Sequence, residues 1–195
     1  MTSPPSTATS MLNVANALTV LRLVLVPVFV WLAALSEMTD STWRIAATVA
    51  FLVAAATDYV DGWLARSWDQ VTEFGKIADP IADKALTGAA LVFLSAYGQL
   101  AWWVTVLVLA REIGVTLVRF WVIRQGVIAA SWGGKAKTAL QIAAIAWYLW
   151  PWPDPYQTIG PWIMGAAVVI TAVTGVDYLV RALVLRRKPA PDRGA

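Results

Sequence analysis

The chain has 195 residues, 59% of them hydrophobic and 14% charged, with a net charge of +3 and a mean hydropathy of +0.64. That is more apolar surface than a soluble domain of this length can hide in one core, so the composition excludes a soluble globular protein. Cysteine and histidine are both missing, which excludes disulfides, thiolate metal sites and imidazole chemistry and leaves carboxylates, Lys, Arg and hydroxyls to carry any reaction.

A membrane-spanning helix takes roughly 17–25 apolar residues. Stretches of that kind fall near 17–35, 43–64, 81–98, 101–123, 137–151 and 159–184. They predict an all-α integral membrane protein, a bundle of six transmembrane helices. The gaps leave no room for a soluble domain, so the expected layout is a polar N-terminal segment over 1–12, one six-helix domain over 13–185 and a basic tail over 186–195. The start carries no basic residue before Arg22, which argues against a secretory signal.

In the first expected span, "NVANALTVLRLVLVP" sets Asn16, Thr19 and Arg22 at i, i+3 and i+6, roughly one helix face. An arginine alone in such a run is expected to snorkel to the interface. The end of the second span and the start of the third hold the densest polar pattern, "TDYVDGWLARSWDQVTEFGKIADPIADKAL". Asp58 and Asp61 are three residues apart and Asp79 and Asp83 four apart, so each pair shares one helix face. The loop "RSWDQVTEFGKIA" is short enough to bring the pairs together. Four facing carboxylates repel unless cations lie between them, and oxygen-only ligands suit Mg²⁺, Mn²⁺ or Ca²⁺. A single Asp near a helix end is more often a cap or the partner of a base such as Arg66, Lys76 or Lys84. Two pairs inside apolar spans point instead to function, because ionisable groups at that depth are costly. Gly62 and Gly75 beside them fit either a ligand close to the backbone or tight helix packing, and Arg66 can aim a cation at a bound anion.

The fourth span contains "LAREIGVTLVRF", with Arg111 and Arg119 eight apart on one face and Glu112 as the expected buried partner of Arg111. Before the fifth span, "GGKAKTALQ" combines Lys135 and Lys137 with the free amides of a helix N-terminus after Gly133 and Gly134, a combination suited to an anion. Basic residues there also follow from topology. With residues 1–16 in the cytoplasm, the outer loops hold Glu37, Asp40 and Asp154 and no base, whereas the inner segments hold Arg66, Lys76, Arg124, Lys135, Lys137, Arg186, Arg187 and Lys188. This positive-inside pattern puts both termini in the cytoplasm, and tryptophans at the span ends read as interfacial anchors. The net charge is thereby explained by topology, and nucleic acid is not an expected partner.

The order Asp58-x2-Asp61-Gly62-x2-Ala65-Arg66-x8-Gly75-x3-Asp79-x3-Asp83 resembles the signature of the CDP-alcohol phosphotransferases. The resemblance implies a six-helix enzyme of the cell membrane, usually a homodimer, with its active site facing the cytoplasm and using two divalent cations, Mg²⁺ or Mn²⁺. It implies that Asp58, Asp61 and Asp79 hold metal, that Asp83 both reaches metal and acts as general base, and that Asn16, Thr19, Gly62, Ala65, Arg66, Thr72 and Gly75 surround the CDP moiety. Such a site suits in-line displacement at a diphosphate, with a carboxylate taking the proton of the incoming hydroxyl.

Asn16-x2-Thr19-x2-Arg22, "AREI" and "GKAKTALQ" further resemble the phosphatidylglycerophosphate synthase branch, although Ala15 stands where that branch often has Pro. What this implies is transfer of the phosphatidyl group of CDP-diacylglycerol, a lipid drawn from the membrane, to sn-glycerol 3-phosphate. Arg111, Arg119, Lys135 and Lys137 are the candidates for the doubly charged acceptor phosphate. Another acceptor, as in cardiolipin synthases or inositol-phosphate transferases, shares the donor chemistry. A divalent-cation transporter is disfavoured, because all four carboxylates lie near one surface.

Overall fold

A computed structural model describes residues 14–67, 73–122 and 132–187. These form six α-helices, α1 Val14–Ser36, α2 Ser41–Ser67, α3 Glu73–Ala96, α4 Trp102–Val122, α5 Trp132–Leu149 and α6 Ile159–Arg187, with a single 3-10 turn at Tyr156–Thr158. No strand occurs among the described residues, and each expected span falls on one helix. The protein is all-α.

At 1.5 Å per residue, α1 to α4 and α6 run roughly 32 to 44 Å, against about 30 Å of bilayer hydrocarbon. Among the described residues, only the segment Tyr156–Val184 is apolar enough over such a length to cross a membrane by itself. Shorter apolar runs cover Val20–Ser36, Ser41–Thr57 and Lys84–Ala96.

Two helices begin earlier than the apolar spans suggest. Helix α3 starts at Glu73 rather than near 81, and α5 starts at Trp132 rather than near 137. In the sequence, Phe74, Ile77 and Ile81 keep the helical period through a polar stretch, so the helix extends beyond the continuous apolar run. The expected loop over 66–78 shrinks accordingly: only residues 68–72 fall outside α2 and α3, and these lie outside the described residues. Asp79 and Asp83 sit inside α3, in its second and third turns, not at its start.

The helix ends follow from local chemistry. Asp40 caps α2, its Oδ1 accepting from the backbone N–H of Thr42 at 2.8 Å and of Trp43 at 3.1 Å. Gly98, at φ +71°, ends α3: its N–H bonds the Ser95 carbonyl and the Gln99 N–H the Leu94 carbonyl, the paired closure that a left-handed residue permits.

The described residues divide into two compact units, parted between Phe93 and Leu94, with Leu149–Pro151 joining the first. In the first, α1 packs on α2 through Phe29, Ala33, Ala47, Ala50, Phe51 and Ala54, with the two phenylalanine rings 5.7 Å apart. Small residues allow the backbones to approach closely. Arg44 of the same unit donates to the carbonyls of Leu149 and Trp150, both at 3.1 Å, capping the end of α5. Arg22 is fully buried, so it does not snorkel to an interface. In the second unit α4 packs on α6. Here Ser95 and Thr105 share a buried hydroxyl hydrogen bond of 2.7 Å. Large apolar side chains are exposed on both units, including Trp31, Val49, Trp103, Leu117, Trp162 and Val173. In water such faces are an aggregation hazard, whereas lipid tails suit them.

Candidate functional site

In the first unit, α2 carries Asp58, Asp61, Gly62, Ala65 and Arg66, and α3 carries Gly75, Asp79 and Asp83. Unbroken helix at both places keeps each aspartate pair one turn apart on a single face. Asn16 and Thr19 lie in the first two turns of α1. Thr72 lies outside the described residues, as do the side chains of Asn16, Thr19, Asp58, Asp61, Ala65, Arg66, Asp79 and Asp83. In the second unit the same holds for the side chains of Arg119 on α4 and Lys135 on α5.

The second unit does bring two of the expected basic residues together. Glu112 Oε1 accepts from Arg111 Nη1 at 3.0 Å and also from Lys137 Nζ, so one carboxylate oxygen holds both cations. The pairing of Arg111 with Glu112 was expected; Lys137 as a second partner, 25 residues further on, was not. Lys137 is 5% exposed, and such burial without a counter-charge would be prohibitive. Arg111 is held from α6 as well, its Nη2 donating to Thr174 Oγ1 at 3.1 Å. With two cations and one anion, the cluster retains a net positive charge in mostly apolar surroundings.

Several polar groups here await a partner. Arg111 Nε is buried with no hydrogen-bond partner among the described residues, as are Gln141 Oε1, one turn beyond Lys137 on α5, and Thr171 Oγ1, one turn before Thr174 on α6. Buried polar atoms are ordinarily satisfied, so the unpartnered Nε of Arg111 leaves that guanidinium with a donor to offer. At the start of α5, the first-turn residues Trp132, Gly133, Gly134 and Lys135 present amides with no intrahelical acceptor. Thr138 Oγ1 donates to the Gly134 carbonyl at 3.1 Å.

Two participants escaped sequence reading. Thr174 lies 63 residues from Arg111, in a helix whose pattern is that of an ordinary apolar span. Gly175, its neighbour, also lies against Arg111. The only signal was a Thr-Gly pair within that span, which ordinary helix packing explains equally well.

Residues 12–173 match the family model described as CDP-alcohol phosphatidyltransferase. The chain belongs to that family. Membership makes it a transferase, in a family that is membrane-associated. The matched stretch contains every residue singled out above from Asn16 to Thr171. The chain is 51% identical over 171 residues, 88% of its length, to a probable phosphatidylglycerophosphate synthase of Mycobacterium tuberculosis H37Rv, covering 82% of that relative. It is also 38% identical over 177 residues to the CDP-diacylglycerol–glycerol-3-phosphate 3-phosphatidyltransferases of Escherichia coli K12 and Shigella flexneri, covering 87% of this chain and 94% of each relative.

Proposed function

We propose that this CDP-alcohol phosphatidyltransferase moves the phosphatidyl group of CDP-diacylglycerol to sn-glycerol 3-phosphate, releasing CMP and forming phosphatidylglycerophosphate. The observation that carries the choice of acceptor is the largely enclosed pair Arg111 and Lys137 on one Glu112 oxygen, a positively charged cluster in which Arg111 Nε has no partner among the described residues. A neutral alcohol has no use for it, whereas a phosphate dianion does. The names of the relatives at 51% and 38% identity supply the same substrates.

The donor set on α2 and α3 fits hard divalent cations: four carboxylates at one-turn spacing, in a chain without His or Cys. Asp58, Asp61, Asp79 and Asp83 would hold two Mg²⁺ or Mn²⁺. Held there, such cations would supply positive charge for the diphosphate of the donor and for the departing CMP. Arg66 pairs with a donor phosphate, while Gly62, Ala65 and Gly75 let the nucleotide approach the backbone and Asn16, Thr19 and Thr72 offer it hydrogen bonds. Asp83 accepts the proton of the acceptor hydroxyl as that oxygen attacks phosphorus in line with the CMP leaving group. Arg111, Arg119, Lys135 and Lys137 hold the acceptor phosphate, and Glu112 keeps Arg111 and Lys137 paired while limiting their excess charge.

The same reading makes the domain over 13–185 a six-span bundle of the cell membrane, with cytoplasmic termini, a cytoplasm-facing site and a homodimeric assembly. The clustering of the four carboxylates and Arg66 about the junction of α2 and α3 supports a site near one membrane surface, because charge is costly deeper in the bilayer. CDP-diacylglycerol enters from the bilayer and glycerol 3-phosphate from the cytoplasm. The test offers purified protein CDP-diacylglycerol together with glycerol 3-phosphate, inositol phosphate, phosphatidylglycerol or serine in parallel and follows CMP release. Turnover with glycerol 3-phosphate alone is expected. Turnover with another acceptor instead would keep the donor chemistry and refute the acceptor assignment.

A further inference from the structure

Arg111 lies against α6 at two consecutive residues, each of which suits it for a different reason. A Cβ built on Gly175 would stand 3.1 Å from Arg111 Cγ and 3.7 Å from its Nε. The first contact is tighter than nearly all real Cβ contacts, so any side chain at 175 forces the arginine stem to shift by a few tenths of an ångström. Thr174 donates its own hydroxyl proton to the Ile170 carbonyl at 2.7 Å, which fixes the direction of its lone pairs. One of those lone pairs accepts Arg111 Nη2 at 3.1 Å. On the opposite end of the guanidinium, Glu112 takes Nη1 at 3.0 Å.

A glycine in an apolar helix usually admits a neighbouring helix backbone. What fills the notch at Gly175 is the side chain of Arg111, and the adjacent hydroxyl serves the same guanidinium. We propose that Thr174 and Gly175 are positioning residues, forming a seat on α6 that fixes the Arg111 guanidinium for the acceptor phosphate. This rests on the reading of Arg111 as an acceptor-phosphate ligand. An arginine already immobilised loses little side-chain freedom when the phosphate arrives, so loosening the seat weakens acceptor binding and leaves the chemistry at the phosphorus untouched.

The test measures CMP release by full-length protein in detergent, with glycerol 3-phosphate and CDP-diacylglycerol varied in turn, for Thr174→Val, Thr174→Ser, Gly175→Ala and Arg111→Ala. Thermal unfolding is followed on the same samples. Ordering one long side chain accounts for roughly a three- to tenfold change. The acceptor KM is therefore expected to rise by about that factor in Thr174→Val and in Gly175→Ala, with kcat and donor KM within about twofold of wild type. Thr174→Ser, which keeps the hydroxyl, restores the wild-type acceptor KM. If acceptor KM stays unchanged in both α6 variants while Arg111→Ala raises it, the seat is refuted and the acceptor reading stands. If Arg111→Ala leaves it unchanged too, both fall. A parallel loss of kcat and both KM values, not rescued by serine, would reduce Thr174 to a packing residue and refute the proposal.

Discussion

Replacing Glu112 with glutamine removes the one negative charge that Arg111 and Lys137 share. The side chains of Arg111, Glu112 and Lys137 are 16%, 18% and 6% exposed, so water does little to compensate. Two cations on one oxygen are roughly 5 Å apart, a repulsion of about 3 kcal/mol at an effective dielectric constant near 20. The amide oxygen still accepts one of the two hydrogen bonds. The expected loss of stability is about 3 to 5 kcal/mol, the range for breaking a buried ion pair from one side. Lys137→Met removes a cation and leaves Glu112 paired with Arg111, so it should cost less, and adding it to Glu112→Gln should relieve the repulsion. The assay is unfolding by SDS titration in mixed micelles, followed by tryptophan fluorescence, for wild type, both single variants and the double. The double variant should be more stable than the sum of the single losses by about 1.5 kcal/mol or more. Losses that add to within about 0.5 kcal/mol would refute the shared-carboxylate argument.

Asp83→Asn should lower kcat by at least about 100-fold with the helical circular dichroism unchanged; near-normal turnover would remove Asp83 as the base. Lys135→Ala should raise the KM for glycerol 3-phosphate several-fold at nearly constant kcat, and an unaltered KM would leave the residue a purely topological charge. Ser95→Ala deletes one half of a buried 2.7 Å hydroxyl pair and should cost about 1 to 3 kcal/mol in the SDS titration without affecting kcat. A cost below about 0.5 kcal/mol would mean that bond contributes nothing to the native state.

Apolar runs were enough to find the six α-helices of the described residues, because each run is too long for a strand. They were poor guides to where α3 and α5 begin. The continuous apolar run ends where charge appears in the sequence, but the helical period continues through Phe74, Ile77 and Ile81, so α3 starts at Glu73 and encloses Asp79 and Asp83. The carboxylate spacing was legible for a related reason: i, i+3 and i, i+4 relations are local and survive any packing. Arg22 is fully buried, and nothing local in the sequence distinguishes a snorkelling arginine from one sealed inside the fold. The link from Lys137 to Glu112 and that from Arg111 to Thr174 depend on which helices meet, 25 and 63 residues apart in the chain, and no local pattern encodes them.

The most direct test of the central claim is the mass spectrum of the lipid made by purified protein from CDP-diacylglycerol and glycerol 3-phosphate, with Mg²⁺ or Mn²⁺ present or removed by chelation. Phosphatidylglycerophosphate is expected in amounts equal to the CMP released, lost on chelation and restored by adding either metal. Phosphatidic acid formed by attack of water, or a product that persists without divalent cations, would contradict it.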